Sequence, residues 1–138
     1  MRVSQRLDYA LRALVLLAGR GAGTYASGGE IASKLGLPQR VVEQQLSELA
    51  RAGILNSKRG AGGGHALARP ASEISVAHVV LAIEGSVLDV PRVSGSASSE
   101  FWASSSAALN TYLSSVSIAS LAERQAELDS AAAHTYYI

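Results

Sequence analysis

The sequence contains no cysteine among its 138 residues. This absence excludes a disulfide framework, a thiolate nucleophile, a zinc site with cysteine ligands and an iron–sulfur cluster held by thiolates. No apolar run approaches the ~18 residues of a membrane-spanning helix. The stretch "LRALVLLAG" is shorter and no cleavage site follows it, so it does not predict a signal peptide. From these absent signals we expect a cytoplasmic protein.

Signals of catalysis and of metal binding are also lacking. The three histidines, His65, His78 and His134, form no H-x-x-x-H pair, and a metal site would need three distant segments to converge. Separate surface or core histidines are therefore the better interpretation. No nucleophile, base and orienting residue stand at a recognised spacing. The sequence does not predict an enzyme.

The charge of the chain is unevenly distributed. Residues 1–70 carry ten Lys and Arg against four Asp and Glu, a net of +6. Residues 71–138 carry two against seven, a net of −5. Chance unevenness in a short chain is one explanation. The other is a basic module that binds a polyanion, joined to an acidic second element.

Apolar spacing and helix-capping residues predict the elements of the N-terminal part. The order is helix, short helix, turn, helix, strand, loop and strand, which is typical of a winged helix–turn–helix. We therefore expect a mainly α fold with a small β-hairpin wing. The predicted elements are helices at 4–19, 28–35, 39–52 and 76–85 and strands at 54–58 and 65–69.

The C-terminal part begins with a stretch rich in Ser, Gly and Pro at 86–99, which predicts a loop. Apolar periodicity then predicts a helix from Glu100 to Val116 and a last helix from Ser117 to about Ala131. The tail "HTYYI" either docks into a groove or frays, and both interpretations stay open.

The stretch "KRGAGGGH" lies between the two predicted strands. A nucleotide-binding P-loop has its lysine after the glycines and leads into a helix, whereas here Lys58 precedes them and a strand follows. A flexible linker does not fit between two ordered strands. Glycines let a hairpin tip lie close to a surface, and Arg59 suits the negative potential of a narrow minor groove. A plain hairpin with solvated charges is the alternative. The residues assigned to this wing, 58–65, include Lys58, Arg59, Gly60, Gly62 and His65.

The helix predicted at 39–52 presents a polar face near its N-terminus, where a recognition helix reads bases. Gln can pair with adenine, Arg with guanine, and Glu can accept from the cytosine amino group. A solvated amphipathic face looks the same when taken alone. Together with the wing and the charge asymmetry, however, this face predicts DNA binding. The candidate base-reading residues are Gln39, Arg40, Glu43 and Gln44.

Three blocks of sequence carry a family pattern: "MRVSQRLDYALRAL", "EIASKLGLPQRVVEQQLSELARAGIL" and "SKRGAGGGHALARPASEISVAHVVLAIEG". The set resembles the Rrf-two superfamily of bacterial winged helix–turn–helix transcription regulators, the group that includes IscR, NsrR and CymR. The resemblance is strong over 1–85 and looser beyond. The combination of "DYALR" with "RGAGGG" makes it specific.

The resemblance implies a homodimer on a palindromic operator, with two recognition helices in the major groove and two wings in the minor groove. It implies that Glu43 is a base-reading glutamate and that Arg59 is a minor-groove arginine. It also implies that the helix from Glu100 to Val116 crosses its partner. The implied interface residues are Phe101, Trp102, Leu109, Leu113 and Val116. The implied segments are a DNA-binding domain at 1–85, a loop at 86–99, and dimerisation helices and tail at 100–138.

The loop before the dimer helix is where the chain departs from the family. Sensors of this group usually hold an iron–sulfur cluster there through three cysteines, and this loop has none. Asp8 matches a carboxylate that is a fourth cluster ligand in some relatives. One carboxylate cannot hold a cluster, and a first-turn carboxylate is favoured by the helix dipole in any case. We therefore expect a cysteine-free member with no cofactor.

The signal that controls such a regulator is left open by the sequence. A small molecule or a protein partner could be the signal, or the abundance of the protein alone could set its activity. Trp102 and Tyr112 are candidates for lining a ligand pocket beside the dimer helix, although core and interface are the more frequent places for such aromatics. We expect a repressor, because a protein bound over a promoter blocks polymerase without further contacts. The alternatives are a winged-helix adaptor that binds proteins and, more remotely, a nucleotide-binding enzyme.

Overall fold

Within residues 1–136, six α-helices and one β-hairpin follow the order that the sequence predicts. The computed structural model describes residues 1–136, so the last two residues of the tail "HTYYI" lie outside the described residues. The predicted mainly α fold with a β-hairpin wing is confirmed. The elements are α1 (Gln5–Gly19), α2 (Gly28–Leu35), α3 (Gln39–Arg51), β1 (Leu55–Lys58), β2 (Gly64–Leu67), a 3-10 turn (Ala71–Glu73), α4 (Val76–Glu84), α5 (Ala97–Ser115) and α6 (Ile118–Tyr136).

Serine side chains cap the starts of several helices, as at α2 and α4. The Ser27 hydroxyl accepts from the N–H of Glu30, which is one half of a capping box. The Glu30 carboxylate instead accepts from Arg20 at 2.6 Å, which joins α1 to α2. At α4 the box is complete, because the Ser75 N–H donates to Nδ1 of His78 at 3.0 Å. His78 therefore has a structural role.

One hydrophobic core joins α1 to α4, the hairpin and the start of α6. Ile118 is fully buried, and its N–H donates to the carbonyl of Ile74 at 2.8 Å. The first turn of α6 thus shares the core of the predicted segment 1–85, and α6 then packs along α1. The core includes Ala10, Ala13, Leu14, Leu17, Ile31, Val42, Leu46, Leu49, Ile54, Leu55, Ile74, Val79, Ile83 and Ile118.

The two C-terminal helices are longer than the sequence predicts. Helix α5 begins three residues before Glu100, because the Ser96 hydroxyl accepts from the N–H of Ser99 and starts the helix within the predicted loop. Helix α6 continues beyond Ala131 to Tyr136, through a run of alanines that favours helix. Among the described residues, neither these helices nor any other is long and apolar enough to cross a membrane.

Candidate nucleic-acid interface

Helix α3 has one buried face and one polar, exposed face. Val42, Leu46 and Leu49 are buried with helical spacing, and Gln45 is buried beside them, so the opposite side of the helix points outwards. The exposed set near the N-terminus contains all four predicted base-reading residues, Gln39, Arg40, Glu43 and Gln44. The structure therefore brings these four together on one surface.

The wing is an antiparallel hairpin in which Leu55 pairs with Leu67 and Lys58 with Gly64. Its tip needs glycine, because Gly60 and Gly62 have φ of +89° and +75°, in the left-handed region that side chains disfavour. Lys58, next to the tip, is exposed, and Arg59 and its neighbours through residue 62 are exposed as well. The predicted wing residues therefore form a narrow, cationic projection.

A one-residue bridge joins the wing to the segment before α2. Ala26 and His65 exchange two backbone hydrogen bonds, at 2.9 and 2.8 Å. This approach requires Gly64, whose φ is +130° and where a Cβ would lie 2.2 Å from the carbonyl oxygen of Ala26. The stretch "RGAGTYAS" lies between the first two predicted helices, and a bridge of one residue leaves no periodicity that could reveal it.

Glu43 of α3 lies against the first turn of α2. An ideal Cβ built on Gly28 would lie 2.4 Å from Cγ and 2.6 Å from Oε1 of Glu43. The side-chain amide of Gln39 donates to the same Oε1 at 3.3 Å. Since Gly28 follows Ala26 by two residues, the recognition helix and the root of the wing meet at one short segment and share one surface.

The cations that α3 and the wing place on this surface are Arg40, Lys58 and Arg59. None of the ion pairs formed within residues 1–136 includes Arg40, Lys58 or Arg59. Instead, the ammonium of Lys58 lies 5.6 Å from the centroid of the Tyr25 ring, which is a cation–π distance. The ion pairs of the described chain are Arg6–Glu84, Arg12–Asp8, Arg20–Glu30 and Arg124–Glu127. The cations of α3 and the wing are thus available to an external anion.

His65 lies at the root of the wing and is half-buried. Its Nδ1 is 3.0 Å from the hydroxyl of Ser57 on the opposite strand. Burial lowers the pKa of His65, and the negative charge of Glu43 opposes this shift. The imidazole is therefore neutral at neutral pH, and it joins the two strands at the root of the projection.

Asp8, the weak metal candidate, forms an ion pair with Arg12 at 3.0 Å one helical turn away. Within residues 1–136, no group of three or more His, Cys, Asp or Glu is placed to hold a metal ion. Asp8 lies in the first turn of α1, where a carboxylate interacts favourably with the helix N-terminus.

Helix α5 has no buried residue and carries an apolar face. At about 100° per residue, the large apolar residues of α5 and its C-cap fall within about a third of the circumference. Trp102 is 41% exposed, and its ring lies edge-on to that of Phe101 with 5.1 Å between centroids. The predicted interface residues Phe101, Trp102, Leu109, Leu113 and Val116 share this face, and so does Tyr112.

An open cleft of about 920 Å³ lies on the opposite side of α5, beneath the loop that follows α4. Small residues of α5 line it, among them Ala103 and Ser106, together with apolar residues of the loop. Trp102 and Tyr112, the predicted pocket residues, do not line this cleft, because they point from the exposed face of the helix. Their assignment to a ligand pocket elsewhere beside α5 stays a prediction.

Comparisons with known proteins agree with this geometry. The HTH-type transcriptional regulator IscR of Photorhabdus laumondii is 31% identical over an alignment of 138 positions, gaps included, that covers 94% of this chain and 84% of that protein. A protein of Mycobacterium tuberculosis strain H37Rv that is named as an HTH-type transcriptional regulator is 38% identical over 90 residues, or 65% of this chain. That match spans 56% of the mycobacterial protein, so this chain corresponds to little more than half of its length.

Solved structures resemble this chain over most of its length. CymR, the global cysteine regulator of B. subtilis, superposes with a TM-score of 0.80 at 27% identity, over 90% of this chain and 98% of that one. T. potens IscR superposes with a TM-score of 0.76 at 28% identity, over 91% and 88%. The arrangement of helices and wing is therefore that of these winged-helix regulators.

The family model Rrf2, described as an iron-dependent transcriptional regulator, matches residues 3–124. The side chains of this protein do not fit an iron–sulfur cluster held by thiolates. The chain has no cysteine, and the carboxylate of Asp8 is paired with Arg12. The match itself extends over well more than half of the 138 residues. The chain belongs to the Rrf2 family.

Proposed function

We propose that this protein is a homodimeric, sequence-specific DNA-binding transcription regulator that represses by occupying promoter DNA in the cytoplasm, at the nucleoid. In this proposal the recognition helix at 39–52 enters the major groove of a palindromic operator, and the wing at 58–65 enters the minor groove. The protein has no catalytic role in this proposal. The names of its relatives as HTH-type transcriptional regulators support this assignment.

The observation that carries the proposal is the meeting of recognition helix and wing at the segment before α2. Glu43 touches Gly28, and Ala26 pairs with His65, so both elements project from one surface. A duplex presents its major and minor grooves side by side, and a surface that enters both needs this adjacency. The unpaired cations on the same surface suit the phosphates between the grooves.

Within this arrangement the residues divide into two roles. The side chains of α3 read base edges by hydrogen bonding, and those of the wing bind phosphate and the minor groove. Gly60 and Gly62 let the backbone approach the DNA closely, and His65 holds the root of the wing. The proposed DNA-binding residues are Gln39, Arg40, Glu43, Gln44, Lys58, Arg59, Gly60, Gly62 and His65.

Dimerisation is supported by the apolar face of α5. Large apolar side chains exposed together on one helix face indicate an interaction surface. A second copy of α5 crossing this face would bury Phe101, Trp102, Leu109, Leu113 and Val116 and would place two recognition helices on two half-sites. Two equal half-sites are the reason for expecting a palindromic operator.

We further propose that the protein works without an iron–sulfur cluster and that a small-molecule effector binds in the cleft beside α5. The cleft lies on the opposite side of α5 from the proposed dimer face, so a ligand there would contact the helix that sets the spacing of the half-sites. An absorbance spectrum of anaerobically purified protein checks the first point, because a cluster would give visible bands and we expect none.

The DNA-binding proposal is tested by selecting bound duplexes from a random library and titrating the best sequence at several salt concentrations. Affinity is expected to fall steeply with salt, and Arg59→Ala is expected to reduce the slope of log K against log salt by about 1. Glu43→Ala is expected to alter base preference. Arg124→Ala, which removes a cation paired with Glu127 on α6, is the matched control and leaves both measurements unchanged.

Two results would contradict the proposal. One is the absence of any enriched sequence. The other is an affinity for DNA that neither Arg59→Ala nor Glu43→Ala changes. A stable protein partner in pull-downs, combined with only nonspecific DNA affinity, would favour the winged-helix adaptor instead.

A further inference from the structure

We propose that Gly28 of α2 is a specificity-determining positioning residue: the absence of a side chain there lets Glu43 rest against α2 and fixes the place from which its carboxylate reads DNA. This inference rests on the proposed function, since it names the residue that sets the base preference of the recognition helix. Gly28 itself is buried.

The contact leaves no room for a side chain at position 28 while Glu43 keeps its present conformer. An ideal Cβ on Gly28 would lie 2.4 Å from Cγ, 2.6 Å from Oε1 and 2.9 Å from Cδ of Glu43. Carbon atoms that are not bonded pack at about 3.5 to 4.0 Å. A methyl group at position 28 and the present Glu43 conformer therefore exclude one another.

Two further interactions hold the carboxylate in this position. The amide of Gln39, one turn earlier on α3, donates to Oε1 at 3.3 Å. The first turn of α2 lies beneath it, and a helix N-terminus favours a negative charge. The Glu43 carboxylate is thus oriented before DNA arrives, and such preorganisation adds to the discrimination that a contact provides.

Glu43, and not α2, would move if position 28 carried a methyl group. Gly28 is not in the left-handed region, so alanine fits its backbone. The Glu43 side chain is exposed, so it has room to rotate away from α2 when a methyl group displaces it. Its hydrogen bond with Gln39 would then be lost, and its contacts with bases would change.

The test selects duplexes from a random double-stranded library with the full-length wild type, Gly28→Ala, Glu43→Ala and the double variant. Gly28→Ala is expected to change the relative affinity for sites that differ at one base-pair position by about fivefold to tenfold. In the Glu43→Ala background the same substitution is expected to change nothing. Gly19→Ala is the matched control, because it replaces a helical glycine that has open space around its Cβ.

The outcomes separate this inference from the function on which it rests. Enrichment by the wild type with an unchanged preference in Gly28→Ala overturns the positioning role and leaves the DNA-binding proposal standing. An equal change in both backgrounds overturns it as well, because Gly28 would then act independently of Glu43. If the wild type enriches no sequence, the proposed function fails, and this inference fails with it.

A measurement on the free wild-type protein keeps the inference testable even if Gly28→Ala does not fold. Proton NMR is expected to give a nuclear Overhauser contact between the α protons of Gly28 and the γ protons of Glu43. Its absence in the folded protein would mean that the two residues do not touch in solution, and the inference would then be overturned.

Discussion

Ala26 and His65 exchange two backbone hydrogen bonds across 39 residues of sequence. This bridge fixes the root of the wing to the segment that begins α2. Because the same segment carries Gly28, which touches Glu43, the orientation of the wing and that of the recognition helix depend on one short stretch of backbone. A change in this stretch is expected to alter both elements together.

The bridge predicts that a side chain at position 64 destabilises the fold. Gly64→Ala is expected to lower the free energy of unfolding by about 2 kcal/mol, because it combines a positive φ with a Cβ 2.2 Å from the carbonyl oxygen of Ala26. Urea denaturation measures this loss. The DNA affinity of the variant is expected to fall as well, because its wing would be displaced.

The control for that prediction lies in the same hairpin. Gly62→Ala also places alanine at a positive φ, +75°, but nothing lies within 4 Å of its Cβ. Gly62→Ala is expected to lower the free energy of unfolding by about 1 kcal/mol, because only the backbone conformation is strained. Equal losses in the two variants would show that the bridge to Ala26 contributes nothing.

Local signals in the sequence are sufficient to predict most of the fold. Serine caps and apolar spacing predict α1 to α4 to within a few residues, because both signals act over one or two helical turns. The wing is also locally encoded, as a glycine-rich turn between two short strands. The structure places the four predicted residues of α3 on one exposed face, which follows directly from the burial of Val42, Leu46 and Leu49.

Contacts between distant residues are the part that sequence reasoning misses. The contact of Gly28 with Glu43 depends on how α2 crosses α3, and "SGGE" by itself indicates only a helix start. The ion pair of Glu30 with Arg20 likewise depends on the fold, which brings the end of α1 close to α2. On α5, residue type suggests that Trp102 and Tyr112 line a pocket, but only the packing of the helix reveals which face meets the cleft.

The exposed face of α5 predicts a variant that separates dimerisation from folding. Trp102→Glu is expected to convert a dimer to a monomer, because a carboxylate would be buried without a partner at the proposed interface. The fold of each subunit is expected to persist, since Trp102 is 41% exposed and α5 has no buried residue. Analytical ultracentrifugation measures the mass, and circular dichroism measures the helix content.

Ser104→Glu is the matched control, because Ser104 is exposed on α5 outside the apolar face. It is expected to leave the dimer intact. A wild-type protein that sediments as a monomer at all concentrations, or a Trp102→Glu variant that still sediments as a dimer, would rule out this face as the interface.

The contact between α1 and α4 predicts a dependence of stability on pH. Hydrogen bonds from Arg6 and from Ser4 lower the pKa of Glu84 below its ordinary value of 4.5. A group whose pKa is lower in the folded state stabilises the fold at pH values above its ordinary pKa. This contribution is lost as the pH falls through the lowered pKa. The melting temperature of the wild type is therefore expected to fall more steeply below pH 4.5 than that of Glu84→Gln.

Glu127→Gln provides the comparison for this prediction. Glu127 pairs with Arg124 within α6, where both side chains are well exposed, so its replacement is expected to leave the pH profile unchanged. Melting curves of wild type and Glu84→Gln that stay parallel throughout the acid range would mean that the contact with Arg6 and Ser4 does not favour the ionised carboxylate.

The start of α6 is expected to contribute to the stability of the winged-helix core, although it lies far along the chain from the recognition helix. Ile118 is fully buried and its backbone is bonded to Ile74, so Ile118→Ala removes core contacts and leaves a cavity. The expected loss is about 3 kcal/mol in the free energy of unfolding. Leu128→Ala, on the same helix but at a residue that is 46% exposed, is expected to lose no more than about 0.5 kcal/mol. Chemical denaturation of both variants distinguishes an α6 anchored in the core from one that merely lies on α1, since in the second case the two losses would be similar.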